Sequence, residues 1–84
     1  MQRGMVYVYI IRSRPNPDQT YVGFTGDLKS RITTHNQGGS PHTRKYLPWR
    51  LEFYCAFPDE MKARAFERYL KSHSGKAFAY KRLL

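Results

Sequence analysis

Five side chains in this 84-residue sequence have the chemistry to move protons and neutralise an anion: Tyr9, Tyr21, Arg31, His35 and Glu67. Arg31 and His35 are four residues apart, which on a helix puts them on one face, roughly 40° apart about the axis. An arginine there can stabilise charge developing on a phosphate, and a histidine can accept a proton near neutral pH. The plainer reading of such a pair is a solvated helix surface. Tyr7 and Tyr9 alternate along a strand-like run and share a sheet face, beside which a hairpin could bring Tyr21. Phenols with a reference pKa of about 10 need a neighbouring cation or base to take part in proton transfer, and Arg31 and His35 could supply both. The alternative is an aromatic cross-strand cluster in the core, the reading adopted here for Tyr7. Glu67 stands among seven Lys and Arg between Met61 and Leu84 with no other acidic residue. It is either an intrahelical partner of Arg64, Arg68 or Lys71, worth a few tenths of a kcal/mol, or a ligand for a hard divalent cation.

Those residues need elements to hold them. Met5 to Ser13 (MVYVYIIRS) reads as a strand, Pro15 to Asp18 as a turn, and Thr20 to Phe24 as a second strand pairing antiparallel with the first. Gly23 inside that strand marks a bulge or a close approach by a backbone or ligand. Thr25 or Asp27 can cap a helix running to about Asn36, with Leu28 and Ile32 buried and Gly38-Gly39 as its stop. Gly38 to Trp49 reads as a basic loop carrying Arg44 and Lys45. Arg50 to Phe57 alternates Leu51, Phe53, Cys55 and Phe57 against polar neighbours, as a half-buried third strand would. Asp59 to about Ser72 has an apolar stripe of Ala63, Phe66 and Leu70 with Met61, Ala65 and Tyr69, typical of an amphipathic helix. Ser74-Gly75 is read as its end and Lys76 to Leu84 as a last short helix. The expected fold is α+β: a three-stranded antiparallel sheet covered by helices, order β-β-α-β-α-α, as a single domain over 1–84.

Composition narrows the partners. Fifteen Lys and Arg against six Asp and Glu give a formal charge of +9, while 40% apolar and 15% aromatic residues are enough to build a core. A folded basic domain of this kind suits a polyanionic partner. One cysteine, Cys55, excludes an internal disulfide, and together with three histidines it gives no zinc-like spacing. No segment approaches the roughly 20 apolar residues of a membrane span, and Met1 to Met5 has no signal-peptide character. A membrane partner is therefore not expected, and the localisation expected is cytoplasmic.

Tyr7-Val8-Tyr9 and Tyr21-Val22-Gly23, with Tyr9 and Tyr21 twelve residues apart, followed by Arg31, His35 and Glu67, resemble the GIY-YIG nuclease domain. The resemblance runs from Val6 to about Leu84. The segments Thr25 to Asn36, Thr43 to Trp49 and Phe66 to Phe78 look like the small bacterial members and, more distantly, the catalytic domain of structure-selective nucleases. Tyr7, Val8 and Val22 replace the glycine and isoleucines of the two name-giving motifs, at positions that face backbone or core more than substrate. The resemblance implies an endonuclease hydrolysing DNA phosphodiester bonds, on branched or damaged DNA in repair or recombination. Tyr9 would help deprotonate the attacking water with Tyr21 beside it, Arg31 would bind the scissile phosphate and His35 would assist proton transfer. Glu67 would hold a single Mg²⁺ or Mn²⁺. Lys29, Arg44, Lys45, Arg64, Arg68 and Lys71 are the expected nucleic-acid-binding cations, and a protein partner could supply substrate specificity. The competing reading is a non-catalytic nucleic-acid-binding module using the same basic face. Glu67 weighs against it, because a lone carboxylate in a basic helix opposes phosphate attraction.

Overall fold

The computed structural model describes residues 4–84; the first three residues of the Met1 to Met5 segment lie outside the described residues. The elements are β1 (Val6–Ser13), β2 (Thr20–Thr25), α1 (Leu28–Asn36), β3 (Trp49–Phe57), α2 (Glu60–Lys71) and α3 (His73–Arg82), with a short 3-10 turn at Arg44–Tyr46. They form an α+β fold with the expected order, and β1 lies between β2 and β3, antiparallel to both.

The central position of β1 follows from its composition. Its apolar residues occupy both pleat faces, so it must be covered on both sides. Val8 and Ile10 face Ala63 and Leu70 of α2 and Ala79 of α3, whereas Tyr9 and Ile11 face the opposite way, with Trp49, Leu28 and Ile32. Each such aliphatic side chain contributes roughly 1.5–3 kcal/mol on full burial. Asp27, not Thr25, is the cap of α1: its carboxylate accepts the Ser30 N–H at 3.1 Å. Thr25 Oγ1 accepts the Asp27 N–H at 3.1 Å and so holds the cap in place. Gly38 follows α1 with φ +77°, the left-handed exit that favours glycine.

Four readings of the sequence need correction. The apolar alternation of β3 does not stay on one face, because a bulge leaves Glu52 between Phe53, opposite Ile10, and Leu51, opposite Ile11. Phe53, Cys55 and Phe57 therefore join the α2/α3 layer, while Leu51 lies on the α1 side of the sheet. The displaced Glu52 accepts from Arg12 Nε at 2.8 Å. Gly75 does not end α2; it lies inside α3, which Ser72 caps by accepting the Gly75 N–H at 3.1 Å. A Cβ at Gly75 would sit 1.7 Å from the Tyr69 carbonyl oxygen, so glycine is there to let α3 close onto the end of α2. Met61, Ala65 and Tyr69, placed on the apolar stripe, are exposed, Met61 to 80%. Tyr7 is only half-buried, its ring 6.1 Å from that of Tyr54, and Tyr9 is the fully buried tyrosine.

Candidate active site

Tyr9 is the hub of the site. Its ring crosses the sheet above Gly23, its partner on β2, where a Cβ would come within 2.4 Å of the phenol oxygen. The close approach expected at Gly23 is thus made by the protein's own tyrosine. The Tyr9 hydroxyl lies 2.8 Å from His35 Nε2 in a buried hydrogen bond. His35 Nδ1 lies 2.8 Å from Thr43 Oγ1, and the Trp49 indole N–H donates to the Thr43 carbonyl at 2.7 Å. His35 is 1% exposed, so it is not the solvated helix residue that its spacing alone allowed. Tyr21 packs its ring edgewise against His35, with ring centres 5.2 Å apart.

Electrostatics tie the remaining candidates to the same point. Burial pushes the Tyr9 phenol up to about 12, the charges of Tyr21 and Glu67 add to the rise, and the Arg31 guanidinium pulls against it. At neutral pH Tyr9 therefore keeps its proton. Burial, followed by the positive charge of Arg31, lowers the pKa of His35 and keeps the imidazole neutral. Arg31 itself is exposed and lines a cleft of about 500 Å³ with Tyr21, His35, Thr34 and Ser40.

Glu67 stands on α2, outside the lining of the Arg31 cleft. Its carboxylate pairs with Lys71 Nζ at 3.0 Å, the intrahelical contact that its spacing allowed, and Lys71 Nζ stands 5.9 Å from the centre of the Tyr21 ring. The Glu67 side chain is 20% exposed, with no cluster of three metal-ligating side chains among the described residues. A half-shielded carboxylate held by one ammonium is a hard oxygen donor that suits a cation keeping most of its water shell. Asp27 also borders the cleft, but its carboxylate is committed to the α1 cap.

The other cations divide. Lys71 stands beside Tyr21, outside the lining of the Arg31 cleft. Arg64 is paired with Glu60 at 3.0 Å and stacked over the Phe24 ring, and Arg68 is exposed on α2. Arg44 and Lys45 are exposed on the 3-10 turn. Lys29 borders a separate hollow with Tyr7, Leu51 and Tyr54, away from the Arg31 cleft. Thr43 was missed. The one available signal was indirect: a histidine meant for proton transfer needs a partner on its second ring nitrogen.

The geometry thus sets a buried tyrosine–histidine pair beside an exposed arginine on a small antiparallel sheet. Residues 5–81 match the sequence pattern of the GIY-YIG catalytic domain, and the chain belongs to that family. It is 44% identical over 52 residues to a UPF0213 protein of Lacticaseibacillus paracasei, covering 61% of this chain and 58% of that relative. The structure-specific endonuclease subunit SLX1 of Candida dubliniensis is 38% identical over 71 residues, covering 76% of this chain but only 25% of that protein. The solution NMR structure of a UPF0213 protein from Bacillus halodurans superposes with a TM-score of 0.56 at 32% identity, over 92% of this chain and 83% of that one. No helix among the described residues is long and apolar enough to cross a membrane.

Proposed function

We propose that this chain is a divalent-metal-dependent endonuclease that hydrolyses phosphodiester bonds in DNA, acting on branched or damaged forms in repair or recombination. The observation that carries the reading is the Tyr9–His35 hydrogen bond at 2.8 Å beside Arg31, with Glu67 close enough to raise the Tyr9 phenol.

A phenol near pKa 12 is not a free phenolate at neutral pH, so Tyr9 acts as a relay. Its oxygen takes a proton from the attacking water as its own proton passes to the neutral His35 Nε2. This relay requires the tautomer in which Nδ1–H donates to Thr43 Oγ1, leaving Nε2 as the accepting nitrogen and steadying the imidazolium that forms. Arg31, in the open cleft, donates to the scissile phosphate. Glu67 would hold one Mg²⁺ or Mn²⁺, which when bound would supply further neutralisation of phosphate charge. Lys71, released from Glu67 by the cation, would turn to the substrate backbone. SLX1 is named as a subunit of a structure-specific endonuclease; by analogy, a protein partner would supply substrate choice here.

The test sets cutting against holding. Supercoiled plasmid and branched duplexes are incubated with Mg²⁺ or Mn²⁺ and wild type or Glu67→Gln, alongside filter binding. Metal-dependent nicking by wild type, lost in Glu67→Gln while DNA binding is unchanged or tighter, is the expected result. Nicking retained in the variant removes Glu67 from the chemistry. DNA binding without nicking by wild type favours the non-catalytic module.

A further inference from the structure

Behind Tyr21, on the side away from Arg31, a second pocket of about 250 Å³ opens between β2 and the last two helices. Ile10, Val22, Leu70 and Ala79 give it an apolar floor, and no Asp or Glu side chain lines it. Its rim is formed by Lys76, by Tyr80 and by Lys71, whose charge is engaged by Glu67. Tyr80 is 54% exposed, and Lys76 makes no ion pair among the described residues. Tyr21 lines both this pocket and the Arg31 cleft, so a strand running over Tyr21 passes from one to the other.

We propose that this pocket receives one unpaired nucleobase of the DNA strand flanking the scissile phosphate, with Tyr80 as its stacking face and Lys76 on its phosphate. The inference rests on the nuclease reading of the neighbouring cleft and specifies its substrate. The pocket is smaller than the roughly 300–1,000 Å³ that encloses drug-sized ligands, and so fits a single ring system. Apolar walls and an aromatic rim suit the π-face of a base, while Lys76 matches the charge of the phosphate it carries. A base stacked and paired in a duplex cannot enter without being extruded, and extrusion is easiest where the base is already unpaired. The pocket therefore favours strands with a free nucleotide beside the cut, as at a branch or a flap.

Binding of a short single strand containing 2-aminopurine, measured without metal so that nothing is cut, tests the proposal. Stacking quenches the fluorophore. Tyr80→Ala, at an exposed position, should lose the quenching and weaken single-strand binding by roughly tenfold or more. Tyr80→Phe should keep both, and affinity for an intact duplex should be the same in all three proteins. Lys76→Ala should lower the salt dependence of single-strand binding by about one unit of slope. Unchanged quenching in Tyr80→Ala, or an equal loss of duplex and single-strand binding, would overturn the proposal. Because the assay needs no cleavage, a wild type that quenches normally but never nicks plasmid would sink the nuclease reading and leave the base pocket standing.

Discussion

Replacing Thr43 with valine changes the site by one hydroxyl group. Valine matches threonine in shape, and Thr43 is fully buried, so the substitution leaves no cavity. It removes Oγ1, which lies 2.8 Å from His35 Nδ1. His35 is itself buried at 1% exposure, so the orphaned nitrogen cannot turn to bulk water, and the loss should cost about 1–3 kcal/mol. In a domain of this size that lowers the melting temperature by roughly 4–8 °C per kcal/mol. The chemical effect should be larger. With no acceptor for Nδ1–H, the neutral ring moves to the Nε2–H tautomer and donates to Tyr9, which closes the route for the tyrosine's proton. Losing such a general base lowers cleavage by about 10²–10⁴-fold. Long-range ¹⁵N–¹H spectra of the ring read the tautomer directly, and plasmid nicking reads the rate. Wild type should show protonated Nδ1 and bare Nε2, Thr43→Val the reverse, and Thr43→Ser should restore both spectrum and rate. A wild-type ring protonated at Nε2, or a folded Thr43→Val that nicks at full speed, would refute the relay.

Tyr9→Phe keeps the ring in the core but removes the relaying oxygen, so nicking should drop by orders of magnitude while filter binding of DNA holds. Gly75→Ala places a methyl against the Tyr69 carbonyl, a backbone atom that cannot rotate away, and chemical denaturation should show a loss of about 1–3 kcal/mol or more. Tyr9 carries a folded-state pKa of about 12 against a reference of 10.0, so its contribution is intact below pH 10 and lost as the pH rises towards 12. Stability against alkali should therefore fall across that window in wild type and fall less in Tyr9→Phe. His35, with its pKa lowered in the fold, acts in the other direction, costing stability as the pH drops below 6.5. Arg44→Ala combined with Lys45→Ala should weaken DNA binding and flatten its salt dependence without moving the melting temperature, since both side chains are exposed.

Local signals marked most of the scaffold. Alternation and β-branching marked β1 and β2, and the cap-type residues Thr25 and Asp27 marked the start of α1. Leu28 and Ile32 are on the buried stripe of α1, as their spacing requires. Non-local geometry decided what the sequence pattern could not. A bulge at Glu52 moves Leu51 to the opposite face without disturbing the alternation that identified the strand. Gly75 has the composition of a helix stop, yet what requires it is a carbonyl on the preceding helix. The site divides the same way. Tyr9, Tyr21, Arg31 and His35 could be picked out as reactive types and lie together, while Glu67 is connected to them through Lys71 beside Tyr21. The burial of His35 and the hydroxyl of Thr43 behind it depend on how the loop after α1 folds back, which has no periodicity to read.

The order in which the site's parts occur along the chain also gives it a direction in time. Tyr9, Tyr21, Arg31 and His35 all belong to the first hairpin and the helix that follows it. Glu67 arrives much later, on a helix that packs across the opposite face of the sheet once β3 has added to β1. A chain made from its N-terminus outward thus presents the hairpin and α1 before Glu67 exists, but α1 gains its main packing partner only when β3 follows. On the proposed reading, an opening of α2 would carry Glu67 and Lys71 away together, stripping a carboxylate and a backbone cation from beside Tyr21 in one movement.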